Sequence, residues 1–191
     1  MMHLKFGIAA TCLVLAAAVA ADTTYMMAKA SLAQQLIARA WDKSLVNEGR
    51  PHKPWPWADS VVKARLQVPA AALDTRVLDG SHGAALAFGP GIAAGSVAPG
   101  ERGLIVIGAH RDTHFSHLHN VKVDDIIRLQ DTHRQWHEYR VSHIDIADIR
   151  HDQIIVDYSA ARLLLITCYP FNAMLPGGPL RYVVEAHLLQ S

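Results

Sequence analysis

The sequence predicts a mainly β fold, in which about eight short strands close, or nearly close, into an antiparallel barrel behind an N-terminal helix. Three observations carry this. With 191 residues, 51% of them hydrophobic, the chain holds enough apolar side chains for one sizeable core and is too short for two ordinary domains plus a leader. Beyond Ser60 the apolar residues fall in short runs rich in Val, Ile and Leu, punctuated by Gly, Pro and Asp, as strands and turns are. No long amphipathic helix separates those runs, which favours a barrel over a layered α/β fold.

In chain order, the basic groups His3 and Lys5 precede an uncharged apolar stretch, residues 6–21, that ends at Asp22, Thr23 and Thr24. This is the pattern of an export signal. Its length lies between the about 20 residues of a spanning helix and the about 7 to 15 of a cleavable signal core. Ala18, Val19 and Ala20 fit an A-x-A cleavage site, so an uncleaved anchor and a cleaved leader both remain open for residues 1–21. Cys12 falls inside this segment as a small apolar residue facing lipid. Cys168 is then the sole thiol of the exported part, and no internal disulfide can form there.

Residues 22–50 follow as an amphipathic helix: Leu32, Leu36, Ile37, Trp41 and Leu45 recur near helical spacing, interleaved with Lys29, Gln34, Gln35, Arg39 and Lys43. Gly49, Arg50 and Pro51 stop it. The connector P-H-K-P-W-P-W over 51–57 cannot be regular helix, and its tryptophans, Trp55 and Trp57, are placed to pin it to the domain that starts there and fills 51–191. Strands are expected at about 60–68, 74–78, 84–88, 103–109, 125–130, 138–149, 162–168 and 180–189. The glycine-rich stretch 89–100 has neither the lysine nor the strand-to-helix context of a phosphate loop and reads as structural. With 18 basic against 17 acidic residues and a net charge of +1, the chain carries no electrostatic footprint for nucleic acid.

Three strand ends present chemistry. The run Arg162-Leu-Leu-Leu-Ile-Thr-Cys168 delivers the lone exported thiol to the end of an apolar strand, just before Pro170 turns the chain. The run Gly103-Leu-Ile-Val-Ile-Gly-Ala-His110 does the same for an imidazole. Free thiols ionise near pKa 8.5 (about), so a neighbouring imidazole or cation raises the reactive fraction, and a histidine is the natural proton donor to a departing amine. Arg181 opens a strand shortly after the thiol; a two-strand hairpin would set the two side by side, with the guanidinium available to a developing oxyanion.

The order His, Cys, Arg on three strand ends resembles the sortase family, which carries a T-L-x-T-C strand, a histidine often written G-H-R and an arginine on the final strand. Here these stand as L-L-I-T-C at 164–168, A-H-R at 109–111 and L-R-Y at 180–182. The strings A-H-R-D-T-H-F, T-C-Y-P-F and G-G-P-L-R-Y are similar to the Gram-negative sortases, class GN. Leu164, Ala109 and Asp124 depart from the usual threonine, glycine and glycine. The resemblance implies a sortase-like eight-stranded closed barrel and a cysteine transpeptidase; no cofactor or metal is expected, and no clustered acidic loop suggests a calcium site, while any calcium dependence stays open. Its substrate would be an exported protein bearing a C-terminal L-P-x-T-G-like sorting signal, handed through a thioacyl enzyme to an amine acceptor. It also implies that Arg181 and the Tyr169 amide face the oxyanion and that His110 protonates the leaving amine, while Thr167 either lines the groove or serves only as a β-branched strand residue. The protein would be held in the inner membrane by its N-terminal helix, with the domain on the periplasmic side.

Two rivals stand beside this reading. The imidazoles between His110 and His119, joined by Asp124 or Asp125, would make a zinc hydrolase, although their spacing matches no closed zinc pattern. A non-catalytic envelope binding module would keep Cys168 buried and inert. A papain-like peptidase fits less well, since there the nucleophile usually precedes the histidine.

Overall fold

The computed structural model describes residues 2–81, 83–153, 155, 157–173, 175 and 177–189, with residues 2–12 and 84 described by backbone alone. Helix α1 (Met2–Val46) is continuous, without a break at residue 21. Its part up to Leu36 stands as one unit, and the chain from Ile37 onward forms a second. The helix ends where Gly49 takes φ 76°, its amide returning to Ser44 O at 3.2 Å, and Pro51 cannot continue the turn. A side chain at Gly49 would also strike the His133 ring at 2.6 Å.

Within the second unit Ile37, Ala40 and Trp41 pack with Val62, Leu78 and Ala85, and Trp55 joins them edge-to-face with Phe88 at 5.1 Å. Trp55 thus pins the connector. Trp57 does not, since it is 80% exposed.

Eight strands follow: β1 (Val62–Val68), β2 (Leu73–Asp79), β3 (Gly91–Ile92), β4 (Gly103–Gly108), β5 (Ile126–Gln130), β6 (Trp136–Asp148), β7 (Ala161–Cys168) and β8 (Leu180–Leu188). They close into a barrel in the order β1-β2-β3-β4-β7-β8-β6-β5. The expected mainly β, eight-stranded closed barrel behind a helix is present. It is mixed rather than antiparallel throughout, because β2 pairs with β3, and β4 with β7, in parallel.

One strand is not where the sequence suggested. Residues 84–88 lie in a short helical turn, α2 (Gly83–Leu86), and the chain just after it; the run A-A-L-A lacks β-branched residues, and alanine favours helix. The third strand is β3, inside the stretch read as a structural loop. Gly91 must be glycine there, because a Cβ would lie 2.0 Å from Gly80 O.

The inward faces of the strands make one core, with Leu66, Ile105, Ile107, Leu163, Leu165 and Val184 all at or near zero exposure. Alternation on β7 then sends Arg162, Leu164, Ile166 and Cys168 to the outer face. Tyr139 is buried in the core, and its hydroxyl accepts the Gly100 amide at 3.1 Å. Asp124, which replaces a glycine of the family pattern, takes the left-handed conformation itself (φ 72°) and donates its amide to Val141 O at 2.9 Å. Aspartate is among the few residues that tolerate that region.

Candidate active site

β4, β7 and β8 are consecutive in the sheet, and they bring the three sequence-predicted groups to one rim. Cys168 and Arg181 are direct partners across β7 and β8. The parallel register of β4 and β7 ends at Gly108 opposite Ile166, and two further residues along each strand lie His110 and Cys168. All three are on the outer face: Cys168 and Arg181 are partly exposed and His110 is exposed. Cys168 is a free thiol, accessible rather than sequestered as the inert-thiol reading requires.

The guanidinium of Arg181 is tethered. Its Nη1 donates to Gly178 O and Leu180 O, both at 2.9 Å. Among the described residues no bond engages Nε or Nη2, so a tethered fork keeps free donors on the residue that pairs with Cys168 across the two strands. Extending from Arg181 along the outer faces of β6, β7 and β8, a groove of about 720 Å³ is lined by Ile166, Leu164 and Val183 nearer the rim and by the Arg162–Glu185 ion pair (2.8 Å) farther along. Its edge carries the exposed Ile149 and Ile155. Burial raises the Glu185 carboxyl, but the hydrogen bond and charge of Arg162, with His187, outweigh this and leave it below the usual range.

Thr167 and Tyr169 are placed differently from expectation. Thr167 is 2% exposed and faces inward, its hydroxyl donating to Ala109 O at 2.8 Å, so it braces the residue before His110 and does not line the groove. The Tyr169 amide is already given to Leu180 O at 3.0 Å. The Tyr169 ring instead joins Phe171, Tyr182 and His119 in an aromatic cluster.

The zinc-type cluster does not assemble: among the described residues no three His, Cys, Asp or Glu side chains converge as a metal would need. His117 and His119 are exposed, and His119 meets Phe171 edge-to-face at 5.0 Å. His114 is half-buried, and burial together with the nearby His110 keeps its imidazole below the usual histidine range.

Sequence reasoning gave no role to Arg111. It is buried, and its guanidinium donates to Pro170 O (2.8 Å), Ala173 O (3.0 Å) and Leu175 O (2.9 Å). The signals available were its place in the A-H-R match and its position directly behind a strand-end histidine. Carbonyl partners leave no trace in a sequence.

Comparison with known proteins bears on the family and the fold. The Sortase domain family model matches residues 66–189. Sortase D of Bacillus subtilis (strain 168) is 29% identical over 120 residues, which are 62% of this chain and 60% of that relative, so the match spans about three-fifths of the relative's length. Among solved structures, sortase A from Corynebacterium diphtheriae superposes with a TM-score of 0.63 at 25% identity, over 71% of this chain and 64% of that one. A sortase D5 transpeptidase of Clostridium perfringens shares the fold, with a TM-score of 0.60 at 21% identity, over 68% and 79% of the two chains.

Proposed function

The chain belongs to the sortase family, and on that premise we propose that it is a membrane-anchored cysteine transpeptidase with Cys168 as nucleophile, His110 as acid and base, and Arg181 facing the oxyanion. The observation that carries this is the register: Arg181 is the cross-strand partner of Cys168, and His110 lies where the β4–β7 pairing runs out beside it.

The Cys168 thiolate attacks the carbonyl carbon of a peptide bond lying at the end of the groove. The carbonyl electrons move onto oxygen, and the free donors of the tethered Arg181 stabilise that charge where it develops. The oxyanion collapses, the C–N bond breaks, and His110 gives its proton to the leaving amine, which leaves a thioester on Cys168. A second amine attacks the thioester and loses its proton to His110, and the thiolate departs. Thiolate, imidazole and guanidinium supply every step, so no cofactor enters. The oxyanion role foreseen jointly for Arg181 and the Tyr169 amide is left to Arg181 in this reading, since that amide is committed to Leu180 O.

The substrate under this reading is an exported protein with an L-P-x-T-G-like sorting signal, and the acceptor is an amine. The apolar walls near the rim suit the aliphatic and proline part of such a signal. The strings A-H-R-D-T-H-F, T-C-Y-P-F and G-G-P-L-R-Y support the Gram-negative class, GN. Residues 1–21 form a signal or anchor, 22–50 carry the helix to its end at Val46 and the turn after it, and 51–191 form the catalytic domain. The stretch Leu13–Val46 is long and apolar enough to cross a membrane, with Leu13, Val14, Leu15 and Val19 exposed, in keeping with a domain held at the periplasmic face of the inner membrane.

Intact mass spectrometry of the full chain with a panel of sorting-signal peptides tests this. A thioacyl adduct on wild type and not on Cys168→Ala, released by a small amine, is the expected result. No adduct across the panel, with Cys168 also inert to alkylation, sinks the assignment.

A further inference from the structure

Arg111 takes no part in the reaction as written, yet among the described residues it is the sole charged residue that is buried, at 4% exposure. Withdrawing a guanidinium from water is costly unless hydrogen bonds replace the water. Here they come from backbone: Nη1 donates to Pro170 O, and Nη2 to Ala173 O and Leu175 O. The single acidic contact is Nε to Asp112 Oδ1 at 3.3 Å, and Asp112 is 67% exposed in its side chain. The cation therefore sits in a cradle of carbonyls belonging to the connection that starts two residues after Cys168.

The other flank of His110 is tied as well. Ala109 gives its amide to Ile166 O at 3.2 Å and receives the Thr167 hydroxyl on its own carbonyl at 2.8 Å. The residue before His110 is thus bound to the chain just before Cys168, and the residue after His110 to the chain just after it. We propose that Arg111 is a positioning residue that sets the relation of Cys168 to His110 by clamping the β7–β8 connection against the histidine segment. This rests on Cys168 and His110 being the reacting pair. Two nitrogens of one planar fork reach three carbonyls, a geometry that the single nitrogen of a lysine does not reproduce.

The experiment compares full-length wild type, Arg111→Met and Arg111→Lys in detergent by three readouts. These are thermal melting, kcat and KM for a peptide that acylates the wild type, and the pH profile of Cys168 alkylation by iodoacetamide without substrate. Expected are cooperative melting, a kcat about 100-fold lower in Arg111→Met, a KM within about threefold of wild type, a displaced alkylation profile, and little recovery in Arg111→Lys. A folded Arg111→Met protein with wild-type kcat and alkylation profile overturns the proposal; a purely structural residue would move only the melt. Should Arg111→Met not fold, the lysine variant decides on the same two readouts. Should wild type accept no peptide but still alkylate, the alkylation profiles alone decide the clamp: displaced supports it, unchanged overturns it; no adduct together with an inert Cys168 sinks the transpeptidase reading itself.

Discussion

The wall of β4, β7 and β8 carries a partly exposed ion pair, Arg162–Glu185, as the other wall carries ion pairs, and adds to it buried side chains that bond distant carbonyls. These are Thr167 and Arg111, which reach the backbone of segments far away in the chain. On the wall of β1, β2, β5 and β6 the charged groups stay in water and pair with one another across adjacent strands. Arg65 meets Asp74 at 2.8 and 2.6 Å, and Arg128 meets Glu138 at 2.8 Å. The second wall is registered by its apolar face, as the alternating burial along β1 shows, and its ion pairs decorate a structure already fixed. The first wall has to hold irregular chain beyond the strand ends, where no ladder continues. There each buried donor stands in for a ladder bond, and water cannot replace it.

Substitutions sharpen or erase this contrast. The largest effect belongs to the rim: Cys168→Ala should abolish thioester formation, and His110→Ala and Arg181→Ala should lower kcat/KM by about 10²–10³-fold with the melt unchanged, because each loses a transition-state interaction. Steady-state kinetics check this, and wild-type rates in either variant break the mechanism. Next, Thr167→Val keeps shape but leaves a buried carbonyl at Ala109 without its donor, at a cost of about 1–3 kcal/mol in urea unfolding; no loss would mean that the buried bond matters no more than a surface pair.

The third effect is one of pH. Burial and the adjacent His110 lower the His114 pKa, so below the unfolded histidine value of about 6.5 the unfolded chain binds the proton more readily than the folded one. Stability is fully present above that value and is lost as pH falls toward the lowered folded pKa. His114→Gln should flatten that part of the curve, measured as the urea midpoint from neutral to mildly acidic pH; an unaltered slope would remove His114 as its cause. The smallest effect lies on the opposite wall. An Arg65→Ala and Asp74→Ala double-mutant cycle should give about 0.2–1 kcal/mol of coupling, reduced by salt. The Arg65 hydrogen bond holds the Asp74 carboxyl below its usual range, so this contribution is present at neutral pH and disappears on acidification through that lowered value. Coupling as strong as the Thr167 effect would erase the difference between the walls.

What the sequence disclosed follows the same division. β4 and β7 were legible because continuous apolar runs ending in one polar residue leave few readings, and their ends carry His110 and Cys168. β3 was not legible: two residues, Gly91 and Ile92, form no pattern, while the apolar run 84–88 imitated a strand without the β-branching of one. The parallel pairings were hidden because neighbour choice in a sheet is settled by the whole barrel and not within a strand. Thr167 read as a groove residue because inward or outward placement depends on register, and at a strand end one residue of shift exchanges the two faces. Arg111 escaped for a different reason: its partners are carbonyls at Pro170, Ala173 and Leu175, which every residue possesses.

Parallel neighbours cannot be joined by a hairpin, and between β4 and β7 the chain leaves to build β5 and β6 on the other wall before it returns. During synthesis β4 therefore exists, with its histidine, well before the strand that will lie beside it has been made. Pairings of such separation form slowly, after the local ones. β8 must then cover the free edge of β7 and complete the ring. An incomplete or misassembled chain accordingly has a histidine and a thiol but not the two side by side, so the acyl transfer proposed above would arrive only with closure of the barrel.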